Sequence, residues 1–170
     1  SIGADALLVR VMALYLDIGK TTRPEYFTEN QKQGINPHDD NRPEYSASII
    51  VGHVENGAML AKEYKLPDIV TAGIREHHGT TLIQYFYYKA VEQAKAEGKT
   101  VDESKFRYNG PKPQTKETAI LMLADIIEAT SRSMTDQSPE AIADMIHKTI
   151  HGRFDEGQFS ECDLSIRELF

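Results

Sequence analysis

Two aspartates stand in apolar stretches of the sequence, where a charged side chain needs a partner. Asp17 follows a run of apolar residues at helical spacing, and Asp125 is the one charge in the apolar run 119–127. Burying an unpaired charge costs several kcal/mol or more, so each carboxylate should meet a cation, a metal or several hydrogen-bond donors. Nothing basic lies close to Asp125 along its own predicted helix, which disfavours a local salt bridge.

Three histidines are the candidate partners. His53 follows two isoleucines at helical spacing and is predicted to face inward, although a lone inward histidine is more often a core residue than a ligand. His77 and His78 precede Gly79, which is predicted to end a helix. Imidazoles there either complement the helix dipole or reach the interior beside Asp17, and the sequence does not separate these two interpretations. Together, the carboxylates and imidazoles suit a divalent transition metal.

The segment after Asp17 adds polar groups that would face the same place. Gly19 allows backbone conformations that other residues avoid, and Lys20 brings a mobile positive charge beside the carboxylate. A long polar loop follows, and loops of such length are usually functional or disordered. Within it, Asn36 and His38 form either a lip on the substrate side or a solvated turn.

Helices must position these residues, because no alternating apolar and polar run is long enough to indicate a sheet. The first helix ends around 15–20, and its predicted core face carries Leu7, Leu8, Val11, Met12, Leu14, Tyr15 and Ile18. Further helices are predicted over about 43–64, 67–78 and 82–97, from Thr115, from Ser138, and from near Ser160 or Asp163. The prediction is an all-α, single-domain helical bundle.

Other candidate residues lie on these helices. Tyr85 opens a run of four aromatic residues, which would stack on a base or, as we expect, pack beneath the loops. His147 and His151 have the spacing of a metal pair, but they lie away from the isoleucine stripe and are predicted to be surface residues. Glu128 and Arg132 are predicted to pair with each other.

Composition sets the limits on function. The chain has 170 residues, enough for one domain with a sizeable core, and a net charge of −7, so a nucleic-acid polymer is not an expected partner. A small anionic ligand can still bind at a local site. The single cysteine, Cys162, excludes an intrachain disulfide, and no apolar stretch approaches the length of a spanning helix.

These motifs resemble the HD-domain metal-dependent phosphohydrolases, and above all the branch of receptors with seven membrane-spanning helices and an intracellular HD domain, which includes cyclic-di-AMP phosphodiesterases. The similarity covers essentially the whole chain, 1–170. The segments that carry it are 3–8, 17–20, 27–31, 36–39, 77–81, 85–87, 108–113 and 122–125.

The resemblance implies a site with two metals, manganese or iron, and a water between them that attacks phosphorus. Asp17 would bridge the metals and act in catalysis with Lys20, which would lie near a phosphate oxygen. One metal would be held by His53 and His77 with His78 beside it, and Asp125 would help to hold the other. The residues implied on the substrate side are Lys20, Asn36, His38, Gly79, Thr80 and Tyr85.

Two departures from the family pattern concern one of the metals. Leu16 stands where the family has the histidine before the bridging aspartate, and a histidine from a helix upstream of Ser1 is not in the chain. The sequence therefore predicts one metal rather than two. Losing two imidazoles should weaken the other site by much more than the roughly 10 to 100-fold typical of outer-shell losses.

The leading prediction is a phosphodiesterase domain that hydrolyses a cyclic dinucleotide, most simply cyclic-di-AMP, with impaired catalysis. It would lie on the cytoplasmic side of a bacterial membrane, attached only through segments outside this chain. The alternative is a catalytically inactive module that binds the nucleotide for regulation, which Leu16 favours. A purely structural helical domain is the third interpretation, and it leaves two interior carboxylates unexplained.

Overall fold

The fold is a bundle of α-helices, as predicted. The computed structural model describes residues 2–31 and 35–170, so Ser1 and residues 32–34 of the predicted loop lie outside the described part. That part contains no strand, only an isolated bridge between Leu82 and Arg107. The α-helices are α1 (Ala6–Tyr15), α2 (Pro43–Glu63), α3 (Asp68–Glu76), α4 (Gln84–Ala96), α5 (Lys116–Ser133), α6 (Pro139–Asp155) and α7 (Ile166–Leu169).

Helix starts follow the capping signals of the sequence. The side chain of Thr115 accepts the Thr118 amide and caps α5, and Ser138 accepts the Ala141 amide at the start of α6, with Pro139 in the first helical position. Both predicted starts are confirmed. The predicted loop 21–42 contains short 3₁₀ turns, at Ile18–Thr22, Pro24–Tyr26 and Thr28–Asn30.

Two predicted helix starts are too early. α4 begins at Gln84 rather than Leu82, because the neighbouring backbone is bonded elsewhere: the Ile83 amide donates to Phe106 O at 2.8 Å, and the Tyr108 amide donates to Thr81 O at 3.0 Å. The last helix begins at Ile166, where Ser165 and Glu168 form a capping box.

The predicted core face of α1 is only partly right. Met12 and Leu16 are buried against Leu121, but Leu7 and Leu14 are 71% and 74% exposed. Leu7 and Leu14 are seven residues apart and share one face, and at about 100° per residue this face lies well away from the buried stripe of Met12 and Leu16.

Helix α2 runs through the centre of the bundle. It contacts the 3₁₀ turn after α1 and also α3 and α4, while α5 packs against α1, α3 and α6. The largest apolar cluster joins α5 to the C-terminal part of the chain through Ala119, Met122, Leu123, Ile150, Phe159 and Leu164. None of the helices described is long and apolar enough to cross a membrane.

Candidate metal centre

A close backbone contact positions the first carboxylate. Gly19, in the turn directly after Asp17, is buried against α2, and a Cβ atom there would lie far inside the van der Waals radii of the His53 carbonyl oxygen and the Gly57 nitrogen. Only glycine allows the two main chains to approach so closely. As a result, Asp17 and His53 meet from different elements.

The two buried histidines present unprotonated nitrogens to each other. His53 Nδ1 lies 2.5 Å from Ile50 O, and His77 Nδ1 lies 2.8 Å from Ile74 O. A carbonyl oxygen can only accept a hydrogen bond, so in the neutral rings the proton is on Nδ1 and Nε2 carries a lone pair. The two Nε2 atoms are 3.4 Å apart, and both rings are essentially buried.

Asp17 adds a third acceptor to this point. Its Oδ1 lies 3.3 Å from His53 Nε2 and 3.8 Å from His77 Nε2, and it is buried without a hydrogen bond. Burial alone would raise the pKa of Asp17, but the charge of Lys20, whose Nζ lies 2.8 Å from Asp17 Oδ2, outweighs it and lowers the pKa to about 2. Oδ2 is therefore paired with Lys20, whereas the charged Oδ1 faces two ring nitrogens that lack protons.

This arrangement fits a metal ion. Asp17, His53, His77 and His78 each offer a ligand atom, and these atoms all lie within 4.8 Å of one another. Nitrogen and oxygen donors of this kind suit a divalent transition metal, and metal-bound histidines commonly donate their other ring N–H to a backbone carbonyl. A cation would satisfy three acceptors that otherwise face each other without a donor.

Asp125 lies at the edge of this cluster. It is not one of the four groups with converging ligand atoms, and its Oδ2 lies 3.9 Å from His78 Nδ1. Burial, helped by the negative charge of Asp17, raises the pKa of Asp125 to about 6. The His78 ring is stacked on Tyr108 with a centroid distance of 4.1 Å, and burial lowers the pKa of His78.

Lys20 is held between two carboxylates. Its Nζ lies 2.8 Å from Asp17 Oδ2 and 2.9 Å from Glu29 Oε1, above the ring of Phe27. Glu29 was not predicted as a site residue. It is in the irregular loop, where no periodicity indicates which side chains turn inward.

Leu16 belongs to the core rather than to the polar cluster. It is 9% exposed and packs with Met12 and Leu121. A leucine side chain has no lone pair for a metal, so the position before Asp17 contributes only apolar contact.

The predicted substrate-side residues are spread over several environments. His38 is buried between the rings of Tyr26 and Phe86, with Nε2 2.8 Å from Tyr26 O, and the Asn36 side chain accepts the His38 amide. Tyr85 is 65% exposed and meets the edge of Phe86.

Gly79 and Thr80 form the turn after the histidine pair. Gly79 has φ +52° and packs against the side chains of Gln158 and Met122. Gln158 is 1% exposed; its Oε1 accepts the Thr80 amide at 3.0 Å, and its Nε2 donates to Thr80 Oγ1 at 3.1 Å. No periodicity or motif in the sequence points to Gln158, which lies far along the chain in a short loop.

The remaining histidines lie elsewhere, as predicted. His147 and His151 are exposed on α6, where both rings stack on Phe170. The predicted pair of Glu128 and Arg132 is also confirmed, at 2.8 Å.

A model of the HD domain family matches residues 1–130. The chain belongs to the HD-domain family. The resemblance inferred from the motifs is thereby confirmed, and this HD domain is similar over nearly all its length to proteins of the predicted branch. It is 50% identical over 168 residues to the cyclic-di-AMP phosphodiesterase PgpH of Listeria monocytogenes serotype 1/2a (strain 10403S). It is 47% identical over 169 residues to PgpH of Bacillus subtilis (strain 168).

Both matches cover 99% of this HD domain but only 23% of the relative, so the chain spans about a quarter of the length of these proteins. A crystal structure of the L. monocytogenes PgpH HD domain in complex with cyclic-di-AMP superimposes with a TM-score of 0.93 at 50% identity, covering 99% of this chain and 77% of that one.

Proposed function

We propose that this HD domain, taken as residues 1–170, is a metal-dependent phosphodiesterase that hydrolyses a cyclic dinucleotide, with cyclic-di-AMP as its substrate. The observation that carries the proposal is the group of acceptors at the centre of the bundle: Asp17 Oδ1, His53 Nε2 and His77 Nε2 face one another without a donor. The similarity to a domain crystallised with cyclic-di-AMP supports the choice of substrate.

Different residues of the chain would have different roles in such a reaction. Asp17, His53 and His77, with His78 beside them, would hold one manganese or iron ion, which when bound ionises water and stabilises negative charge at phosphorus. Lys20 holds a positive charge 2.8 Å from Asp17 Oδ2, where it can meet a phosphate oxygen.

One metal, rather than two, is part of the proposal. Four ligand atoms converge at one point, while Asp125 stands apart with His78 as its neighbour, and Leu16 offers no ligand. In the full-length protein we place the domain on the cytoplasmic side of the bacterial membrane, joined to it through other segments.

A second candidate function is a regulatory module that binds the nucleotide without cleaving it. The apolar burial of Leu16 favours it, since a site with fewer ligands holds metal less well. The cluster of Asp17 and the three histidines, in contrast, favours the phosphodiesterase.

Metal content and hydrolysis test the proposal together. We expect about one equivalent of manganese or iron in the purified domain by elemental analysis, and hydrolysis of cyclic-di-AMP when manganese is added. Asp17→Ala should lose both. Asp144→Ala should keep both, because Asp144 is a surface residue of α6 paired with Lys148.

Other outcomes contradict specific parts of the proposal. Two equivalents of metal would contradict the single-metal centre. A folded protein that binds cyclic-di-AMP without cleaving it, with or without manganese, would overturn the enzyme in favour of the regulatory module.

A further inference from the structure

A buried histidine lies outside the metal centre, in the loop that precedes α2. His38 is 6% exposed, and its ring lies between those of Tyr26 and Phe86, at centroid distances of 5.2 and 4.9 Å. Its Nε2 lies 2.8 Å from Tyr26 O, which can only accept a hydrogen bond, so the neutral ring carries its proton on Nε2. Within residues 2–31 and 35–170, the buried Nδ1 has no hydrogen-bond partner. The bond to Tyr26 O is therefore what this position gains from a histidine rather than an apolar residue.

The main chain around His38 is braced independently of the ring. Asn36 Oδ1 accepts the His38 amide at 3.0 Å, and Asn41 Nδ2 donates to Pro37 O at 2.6 Å. Side-chain bonds of this kind fix turns of irregular backbone. The imidazole therefore has a fixed base from which it can anchor a neighbouring segment.

The anchored segment carries side chains that surround Lys20. Phe27 directly follows the anchored carbonyl and is 6% exposed; its ring lies edge-on to the His53 ring at a centroid distance of 5.7 Å, and Lys20 Nζ lies 5.2 Å above it. Glu29 follows two residues later, and its Oε1 lies 2.9 Å from Lys20 Nζ. The segment consists of short 3₁₀ turns, which have few backbone hydrogen bonds to support them. An anchor from outside the segment should therefore affect where these side chains lie.

We propose that His38 is a positioning residue for Lys20. By holding Tyr26 O, its imidazole keeps the segment that follows against the ammonium group. That group is thereby fixed between Asp17 and Glu29 instead of swinging on its flexible four-carbon stem. The inference rests on the proposed function, in which this ammonium group meets a phosphate oxygen. It gives His38 an effect on the reaction without contact with the substrate.

Removing the ring donor tests the inference in the hydrolysis of cyclic-di-AMP with manganese. His38→Phe and His38→Leu both lack the donor and differ in size, and each should lower kcat by about tenfold or more while KM changes much less. In His38→Gln the amide nitrogen can take the place of Nε2, so most of the rate should be recovered. The control is His151→Phe, the same substitution at an exposed histidine of α6, which should leave kcat unchanged.

Amide hydrogen exchange tests the anchor without using activity. In the two apolar variants, exchange at residues 26–31 should be faster by about fivefold or more, as expected from the loss of one hydrogen bond. Exchange in α6 should be unchanged. The melting temperature should stay close to that of the wild type, because an apolar residue leaves Tyr26 O unpaired but also removes the unpaired Nδ1.

A double substitution tests the route through Glu29. Glu29→Gln alone should lower kcat, because Lys20 loses one of its two carboxylates. If His38 acts through this contact, adding His38→Leu to Glu29→Gln should lower kcat by less than about threefold further. Fully multiplicative losses in the double variant would overturn the inference.

The results separate the inference from the function beneath it. If the wild-type domain cleaves cyclic-di-AMP and the folded apolar variants cleave it equally well, His38 does not position Lys20 and the proposed function stands. Lower activity with unchanged exchange at 26–31 would also overturn the inference. If the wild-type domain does not cleave cyclic-di-AMP, the proposed function fails; faster exchange in the variants would then still support the anchor, and unchanged exchange would overturn it.

Discussion

Leu16 is the residue at which the proposal of a single metal can be tested most directly. It packs against Met12 and Leu121, directly before the carboxylate that faces the histidines. Replacing it with histidine would bring a ligand next to Asp17 and a polar ring into an apolar cluster, so the effect on stability depends on whether metal is present.

We predict that Leu16→His lowers the free energy of unfolding by about 1–3 kcal/mol in the presence of a chelator, because the ring loses hydration. Added manganese should recover part of this loss and raise the metal content above that of the wild type. Urea titration and elemental analysis measure the two effects. Leu16→Met, which keeps the apolar character, should cost less than about 1.5 kcal/mol and leave the metal content unchanged. An unchanged metal content in the histidine variant would contradict the prediction.

Periodicity indicated that His53 faces inward, since it follows the isoleucine stripe of α2, and it is 1% exposed. The sequence left open whether His77 at the end of α3 complements the helix dipole or reaches the interior, and the structure buries it fully. Their tautomers could not be predicted, because these depend on carbonyl contacts at Ile50 and Ile74. The position of Glu29 on Lys20 depends on how an irregular loop closes, which no repeat in the sequence encodes.

Among the helices, the contact of the 3₁₀ turn with α2 should tolerate no side chain. We predict that Gly19→Ala lowers the free energy of unfolding by more than about 3 kcal/mol, because the new Cβ meets backbone atoms of His53 and Gly57, which cannot rotate away. Thermal and urea unfolding provide the measurement. Gly152→Ala serves as the comparison and should instead gain about 0.5–1 kcal/mol. Similar stability of the Gly19 variant and the wild type would contradict this packing.

The turn after the histidine pair depends on a residue from the other end of the chain. We predict that Gln158→Leu lowers the free energy of unfolding by about 1–3 kcal/mol, because the partly buried Thr80 amide loses its acceptor. It should also weaken manganese binding, since Thr80 closely follows His78. Isothermal titration with manganese measures the second effect. Ser160→Ala, at an exposed position in the same loop, should change neither quantity by much.

The order of the helices was predictable because caps and breakers mark it, as at Thr115, Ser138 and Pro43. Which face of α1 is buried was not predictable. Leu7 and Leu14 are as apolar as Met12, and only the positions of α3 and α5 determine which of them is covered. Likewise, α4 starts later than predicted because the backbone around residues 82–83 is hydrogen-bonded to the segment 106–108.

At the scale of the whole molecule, the match to the HD-domain family model ends at residue 130, whereas the apolar core includes residues beyond it. α5 buries Ala119, Met122 and Leu123 against side chains that come later in the chain, among them Ile150 and Phe159. The later part of the chain therefore covers the inner face of α5.

We predict that a chain of residues 1–135 fails to form the native core, because the inner face of α5 would be exposed to water. The expected result is a loss of cooperative thermal unfolding and binding of a hydrophobic dye. Far-ultraviolet circular dichroism and dye fluorescence, compared with the full chain, measure this. A truncated chain that unfolds cooperatively and binds manganese would show that the earlier helices suffice.

The seating of Gly19 on α2 also affects how the metal centre responds to change. The turn that carries Asp17 and the helix that carries His53 meet main chain against main chain at Gly19, where bond lengths and angles are nearly fixed and no rotamer intervenes. Warming, or new combinations of core side chains, alter rotamers and volumes far more easily than they alter such a backbone contact. The spacing of the Asp17 and His53 backbones is thus insulated from rearrangement elsewhere in the bundle, and only the side-chain torsions of these two residues are left to set the distance between their ligand atoms.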